Sequence, residues 1–441
     1  MPILWSEPGH NFKDIRLIRI LLLTLNAEEQ TLLIPYKIAL PSHPKPLFEY
    51  TNYITSISGD LYDGVRYLLS PYGRYEVGRE PETTIKCCLI AMFLRTSKNL
   101  KRLYIDEIIC NKKIFESLYE KTSVTSIDLY LTYNISDDFK FKAIDKLVNI
   151  LCKNSTLTSL NLKSIQLGIN EVKALLEALY KNTVLKSLGL NDRKIGTEEF
   201  KMLAKFLCEN TTLTSLNLSG IGGHWLYYGF RPEVGKAFAD VLCRNTTLTT
   251  LNLGNNKIGL VGVKALTDAL CKNNTLISLN LNGNKLVSRG GKALADALCK
   301  NTSLKDLSIQ RNGLGPEGGK ALADALCKNT TLTSLNLNCN GLRSEGGKAL
   351  IVALCKNSTL TSLSLGKNYL GPEIGRMLAD ALCKNNTLTS LNLHWNKLGS
   401  EGGKALTDAL CKNTTLTFLN LRDNNINFVL KSNNQNMEIL Q

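Results

Sequence analysis

The chain has 441 residues, of which 44% are hydrophobic, and it carries a formal net charge of +15. Its start lacks the basic segment and apolar core of a secretory signal, and its most apolar stretch, residues 15–25, is about half as long as a membrane span requires. Composition therefore argues against secretion and membrane insertion. It predicts a protein of the cytoplasm or nucleus whose 13 cysteines stay reduced.

The positive charge is concentrated after residue 150. Residues 1–150 have a net charge of +1 and the remainder has +14. An excess of this kind suits nucleic acid or an acidic partner. The lysines, however, recur at fixed positions of a repeat instead of clustering, which favours individually solvated side chains. No nucleic-acid partner is therefore expected.

Residues 1–95 do not repeat and are predicted to form a mostly helical cap for the rest of the chain. Segments 60–69 and 85–94 have helical patterns, and prolines interrupt the stretch between residues 35 and 46. Residues 15–25 predict an amphipathic helix, with one apolar face formed by Leu17, Ile18, Leu21, Leu22 and Leu25.

From residue 151 the sequence Leu-Cys-Lys-Asn recurs with a 28-residue period, which indicates a solenoid. One interval, between Cys208 and Cys243, is seven residues longer. Segments 100–105 and 124–129 match the same pattern imperfectly, so about twelve coils are expected over residues 96–430, with 431–441 as a tail. The frames begin at Cys152, Tyr180, Cys208, Cys243, Cys271, Cys299, Cys327, Cys355, Cys383 and Cys411.

Each period contains a strand pattern followed by a helix pattern. LTSLNLNCNGL (332–342) alternates leucines as a short strand does, and GPEGGKALADALCKN (315–329) has a helical period. The Lys-Asn pair is predicted to end the helix with Asn in a left-handed turn, and the glycines to let neighbouring helix starts pack closely. Asparagine at strand position 9 is predicted to satisfy buried turn backbone; this series is Asn256, Asn284, Asn312, Asn340, Asn368, Asn396 and Asn424.

The pattern LxxLxLxxNxL followed by a helix resembles the leucine-rich repeat, in the long-repeat class of ribonuclease inhibitor. The resemblance implies an α/β solenoid, a horseshoe with a parallel inner β-sheet and outer helices. Repeats of this kind bury their apolar faces against their neighbours, so stability is a sum over adjacent coils.

A second resemblance concerns the N-terminal region. MPILWSEP (1–8) and LPSHPKPLFEYTNYITSIS (40–58) resemble the stretch that follows the F-box in fungal-type F-box/leucine-rich-repeat proteins. This implies a substrate receptor of cullin ubiquitin ligases, which contacts the ligase adaptor only if an F-box lies upstream of the first residue. Two alternatives share the repeat class: an activator of the Ran GTPase, and the repeat half of an immune-type sensor.

The repeated cysteine does not predict a metal site. Zinc requires four ligands around one point, whereas these thiols occur once per coil, and Tyr180 takes the same slot in one frame. They are predicted to be small buried hydrophobes. Gly315–Lys320 lacks the Ser or Thr that ends a phosphate-binding loop, and the four histidines belong to no catalytic motif. No metal, cofactor or enzymatic activity is expected.

Binding residues are predicted where the repeat varies. Strand positions 3, 5, 7 and 8 point to the concave side, and only positions 7 and 8 differ strongly between coils. Arginine and tryptophan are favoured interface anchors. The predicted patch for a protein partner comprises Arg311, Lys367, His394, Trp395, Phe418 and Arg422. Neutral drift of exposed positions is the alternative explanation.

The seven-residue insertion lies within residues 220–232 and is unusually aromatic. It follows a strand and precedes a helix, so it is expected to project from one rim of the solenoid. Two roles are open, a cover over irregular coils and a binding lip. The residues concerned are His224, Trp225, Tyr227, Tyr228 and Phe230.

Overall fold

The computed structural model describes residues 12–38, 50–69, 79–131, 136–163, 167–191, 196–220 and 231–441. The chain divides into two compact units, Met1–Asp192 and Arg193–Gln441. Within the described ranges, no helix combines the length and the apolar character needed to cross a bilayer.

The first unit begins with helices and continues as strand–helix coils. Its strands pair in parallel and in chain order from β1 to β5. The helices are α1 (Ile15–Leu23), α2 (Ala27–Thr31), α3 (Asp60–Leu69), α4 (Arg79–Thr96), α5 (Lys112–Glu120), α6 (Asp137–Lys153) and α7 (Ile169–Lys181), with 3-10 turns at Ile34–Tyr36, Tyr50–Tyr53 and Glu107–Cys110. The strands are β1 (Ser56–Ile57), β2 (Arg102–Ile105), β3 (Ser126–Tyr130), β4 (Ser159–Lys163) and β5 (Ser187–Asn191).

The predicted N-terminal helices are present. Asp14 caps helix α1 through a side chain that accepts a hydrogen bond from the Arg16 N–H, and the five residues of the predicted apolar face are at most 1% exposed. Helices α3 and α4 cover the other two predicted segments. Strand β1 was not predicted, because two residues are too few to show an alternating pattern.

The second unit repeats one strand and one helix per coil. Its helices are α8 (Thr197–Glu209), α9 (Pro232–Arg244), α10 (Gly259–Leu270), α11 (Val287–Leu298), α12 (Gly315–Leu326), α13 (Arg343–Leu354), α14 (Glu373–Lys384) and α15 (Gly399–Leu410). Its strands are β6 (Ser215–Asn217), β7 (Thr250–Asn252), β8 (Ser278–Asn280), β9 (Asp306–Ser308), β10 (Ser334–Asn336), β11 (Ser362–Ser364), β12 (Ser390–Asn392), β13 (Phe418–Asn420) and β14 (Glu438–Leu440).

The register of these parallel strands confirms the predicted solenoid. Equivalent positions pair directly, as Leu307, Leu335 and Leu363 do across β9, β10 and β11. The twelve strands expected from the sequence correspond to β2–β13. Strand β14, which pairs with β13, was missed because it lacks the leucine pattern. The boundaries at residues 95 and 430 stay predictions.

Asparagines at strand position 9 form a ladder through the second unit, and all seven are at most 5% exposed. Asn340 is typical. Its Nδ2 donates to the carbonyls of Ile309 and Leu337, both at 3.0 Å, and its Oδ1 accepts from the Asn312 N–H at 2.9 Å. Each amide therefore bonds both its own turn and the neighbouring coil.

A second asparagine ladder follows the helices and corrects one expectation. The backbone of the Asn in each Lys-Asn pair is not in the left-handed region. Asn385, for example, has φ −85° and ψ 125°. Its Oδ1 accepts from the N–H groups of Thr387 and Leu388, and its Nδ2 donates to the Leu354 carbonyl of the preceding coil at 2.9 Å. Each of these side chains satisfies a carbonyl at the end of the helix of the preceding coil, as Asn413 does for Leu382 of α14, so no left-handed turn is needed there.

The prediction that the repeated cysteines are buried was wrong. In α12, Ala325 and Leu326 fill the core at 1% and 2% exposure, and Cys327 lies about 100° further round the helix, toward solvent. Among the described residues no group of three or more metal-ligating side chains occurs. Cys208 and Cys271 are half-buried, and the exposed thiols are those of Cys152, Cys243, Cys299, Cys327, Cys355, Cys383 and Cys411.

Glycines near the helix starts allow close helix packing, as expected. A Cβ added to Gly319 would lie 3.1 Å from the Gly346 Cα of the next helix, and also 3.1 Å from Leu342 Cδ2. Gly375 and Gly402 make an even closer pair between α14 and α15. Side chains larger than hydrogen would separate these helices.

Candidate functional site

The turns that follow β9–β13 present the variable side chains of the second unit. Arg311, Lys367 and Trp395, at position 8, have φ of 56°, 56° and 57°, in the left-handed region that non-glycine residues rarely adopt. Bonds between coils hold this backbone: the Lys367 N–H donates to the His394 carbonyl at 2.8 Å, and the Trp395 N–H donates to the Arg422 carbonyl at 2.9 Å. The turns are therefore rigid platforms.

Two cation–π pairs connect the turns after β11 and β12. Lys367 Nζ lies 5.2 Å from the Trp395 ring centroid, and Lys397 Nζ lies 6.0 Å from that of Tyr369. The rings stay largely available to solvent, with Trp395 54% and Tyr369 65% exposed. We call these four residues the aromatic–lysine cluster. Sequence reasoning missed Tyr369 and Lys397 because only strand positions up to 8 were considered.

His394 packs next to the aromatic–lysine cluster. Its Nδ1 lies 2.8 Å from Asn392 Oδ1, and its ring packs so closely on Gly366 that a side chain there would clash. Burial, and then the charge of Lys367, lower the pKa of His394 from its ordinary value, which Asp423 opposes in part. Both effects favour the uncharged form of the imidazole.

The other predicted patch residues lie around this centre. Phe418 is half-buried on β13 between Ser390 and Glu438, and Arg422 is exposed on the following turn. Arg311 is also exposed, but the coil that carries Cys339 separates it from Lys367. At about 4.8 Å per strand, this places Arg311 roughly 10 Å from the cluster. Arg311 therefore lies on the same side of the sheet as the aromatic–lysine cluster but is not part of it.

This surface combines positive charge with exposed aromatic rings. Exposed cations, namely Lys367, Lys397 and Arg422, surround two exposed rings, and Asp423 is the carboxylate beside them. Such a surface suits a partner that brings an apolar side chain framed by carboxylates. The aromatic residues predicted in the rim insertion, from His224 to Phe230, lie outside the described residues.

Comparison with known proteins identifies the repeat. The sequence profile of the Leucine Rich repeat matches seven segments, which run from the end of α9 to the turn after β13 and include no other part of the chain. No curated protein sequence matches the chain. The matched segments are residues 244–266, 272–295, 300–323, 328–350, 356–379, 384–406 and 412–427.

Three solved structures are similar to parts of the chain. A complex of Rad7 and Elc1 from yeast is 19% identical with a TM-score of 0.47, covering 71% of this chain and 74% of the other. Leiomodin-1 Actin-Binding Site 2 is 25% identical with a TM-score of 0.31, over 33% and 86%. The tropomodulin C-terminal domain of Caenorhabditis elegans is 17% identical with a TM-score of 0.31, over 34% and 90%. With TM-scores below 0.5, none of the three bears on function.

Proposed function

We propose that this leucine-rich-repeat protein is a protein–protein interaction scaffold that binds its partner on the concave wall of the second unit. The seven matched repeats support the scaffold role, because leucine-rich repeats typically bind proteins without catalysing a reaction. The single observation that supports the location is Trp395, a large ring 54% exposed on a backbone fixed by hydrogen bonds between coils.

The binding mode rests on the cluster and its surroundings. Trp395 provides the apolar contact, and Lys367 and Arg422 flank it with positive charge. A rigid aromatic anchor loses little conformational entropy on binding, and its truncation typically costs about 2 kcal/mol or more when it is a hot spot. The partner surface we expect is a hydrophobic side chain set among Asp and Glu.

A finer assignment extends this proposal. The likeness of the N-terminal segments to F-box/leucine-rich-repeat proteins supports a substrate receptor of ubiquitin ligation, in which the bound partner is the substrate. The 28-residue period of the repeats supports a ribonuclease-inhibitor-like class. Contact with a ligase adaptor requires an F-box upstream of residue 1.

The test begins with affinity purification of the tagged chain and identification of its main partner by mass spectrometry. Binding of that partner is then measured for Trp395→Ala combined with Arg422→Ala. We expect at least tenfold weaker binding at an unchanged melting temperature. Val352→Ala combined with Arg289→Ala, which removes equally exposed side chains elsewhere in the second unit, is the matched control.

Equal binding by both double variants would remove the patch from consideration while leaving the scaffold role intact. Co-purification of a ligase adaptor and cullin would support the receptor assignment. Recovery of one abundant partner without them would contradict that assignment.

A further inference from the structure

A cavity of about 360 Å³ opens in the first unit, between helix α3 and the outward-facing side of strands β2 and β3. Strands β2 and β3 alternate buried and outward-facing residues, and this pattern turns Tyr104 and Tyr130 toward the cavity. The lining also includes Asp60 and Asp63 from the start of α3, and Asp106, which caps the 3-10 turn after β2. None of these residues belongs to the patch in the second unit.

Aromatic rings form one wall of this cavity. The rings of Tyr104 and Tyr130 lie nearly parallel, with centroids 6.3 Å apart and an interplanar angle of 23°. Tyr62 packs edge-on against Tyr104 at 5.3 Å, and its hydroxyl donates to the Tyr104 carbonyl at 3.2 Å. The ring faces are regions of negative electrostatic potential, which attract cations.

Carboxylates form the other wall, and they are held in place from outside the cavity. Lys13 lies 3.0 Å from Asp60 and 3.5 Å from Asp63, and the buried Lys86 lies 2.9 Å from Asp106. Neither lysine lines the cavity, so the carboxylates are positioned without their cations filling the space. Arg66 is the one cationic side chain among the lining residues that the structure describes.

The lining therefore carries three carboxylates and one guanidinium. Lys13 and Lys86 pair with these carboxylates from outside the cavity, but an anion entering it would still face carboxylate oxygens and the negative faces of the tyrosine rings. A guanidinium or ammonium group, in contrast, can lie against tyrosine faces while it approaches Asp60 and Asp63. Arg66 is 56% exposed and pairs with Glu82 at 2.9 Å and with Asp63 at 3.5 Å, so an incoming cation shares Asp63 with it.

We propose that this cavity, between Tyr104, Tyr130, Asp60 and Asp63, is a recognition pocket for a positively charged side chain, arginine or lysine, of a bound polypeptide. The pocket lies in a different unit from the concave patch and does not rest on the function proposed for it. The pocket gives the chain a second binding site. It prefers a positively charged group of the partner, whereas the concave patch prefers carboxylates.

The test uses N-acetyl-L-arginine methylamide as the probe and N-acetyl-L-citrulline methylamide as its uncharged isostere. Titration of each into the full chain, followed by saturation-transfer NMR, gives the two dissociation constants. We expect the arginine probe to bind at least tenfold more tightly than the citrulline probe. Asp60→Asn combined with Asp63→Asn should weaken the arginine probe about fivefold, since each exposed ion pair contributes a factor of a few.

The matched control is Asp268→Asn combined with Asp296→Asn, which removes two exposed carboxylates from α10 and α11. This control, and the Trp395→Ala/Arg422→Ala variant, should bind the arginine probe like the unmodified chain. Melting temperatures verify that each variant folds. Equal binding of the two probes, or unchanged arginine binding after loss of Asp60 and Asp63 charge, would overturn the proposal.

Discussion

Replacement of Asn340 by alanine should destabilise the second unit strongly. The Ile309 and Leu337 carbonyls each keep a second amide donor, since Asn312 Nδ2 lies 2.9 Å from the first and Asn368 Nδ2 lies 2.9 Å from the second. The Asn312 N–H, in contrast, loses the acceptor that lies 2.9 Å away. The main loss is therefore one buried donor.

The expected loss in the free energy of unfolding follows from these contacts. A buried donor without an acceptor costs about 1–3 kcal/mol, and weakened bonds to two carbonyls add about 1 kcal/mol. We expect the free energy of unfolding to fall by about 2–4 kcal/mol in Asn340→Ala. Denaturant unfolding followed by circular dichroism measures it, although a repeat array requires a nearest-neighbour treatment of the transition.

Asn386→Ala is the matched control, because Asn386 is exposed in the loop after α14. Its effect should stay within about 0.5 kcal/mol. Asn340→Asp adds a second test, since a carboxylate keeps the acceptor but faces the Ile309 and Leu337 carbonyls without donors. It should destabilise at neutral pH and recover in part on acidification, when the carboxyl is protonated. A loss below about 0.5 kcal/mol in Asn340→Ala would refute the reasoning.

Three further outcomes are expected. Gly319→Ala should lower the free energy of unfolding by about 1–3 kcal/mol, because the new methyl group meets Gly346 and overpacks the helix contact. In an NMR titration His394 should have a pKa below 6.5, and Lys367→Gln should raise it. The folded state then binds this proton less tightly than the unfolded state, so stability falls as pH drops from 6.5 toward the lowered pKa. Brief alkylation of the native chain, mapped by mass spectrometry, should label the thiols of Cys152, Cys243, Cys299, Cys327, Cys355, Cys383 and Cys411.

Each of these outcomes has a control. Gly341→Asn should be nearly neutral, because Gly341 has φ 65°, which asparagine tolerates, and has no neighbour within 4 Å of a new Cβ in the described structure. Lys397→Gln should leave the His394 titration unchanged. Cys88 is 2% exposed, and burial raises its pKa to about 11, so it should resist alkylation. Rapid labelling of Cys88, or protection of Cys327, would contradict the assigned burial.

Much of the fold was predictable because the repeat places the same residue type in the same environment many times. Leucine alternation located β2–β13, and the helical period located α9–α15. Strand β14 was not predictable in this way, since Glu438–Leu440 pairs through its backbone and has no repeat pattern. The exposure of the cysteines was missed because small apolar residue types do not specify which side of a helix end they occupy.

The site was less predictable than the fold. The variable positions 7 and 8 indicated a wall that carries Lys367, His394 and Trp395, but residue identity did not reveal that Tyr369 and Lys397 join them. That arrangement depends on left-handed backbone at position 10, which the sequence does not display. The recognition pocket of the first unit is lined by residues far apart in the sequence, such as Asp60 on α3 and Tyr130 on β3. Only the tertiary structure brings them together.

The patch and the asparagine ladder are physically coupled. Asn368 and Asn396 each follow a residue of the aromatic–lysine cluster, and the Asn368 N–H donates to Asn396 Oδ1 at 3.0 Å. Together with the bond from the Lys367 N–H to the His394 carbonyl, this bond holds two adjacent coils at the distance of the Lys367–Trp395 contact. Variable side chains can thus change the surface without changing its spacing, because the buried amides and the backbone bonds between coils set that spacing. Asn396→Ala should therefore weaken partner binding through a displaced Trp395, beyond what the lost stability of the coil explains.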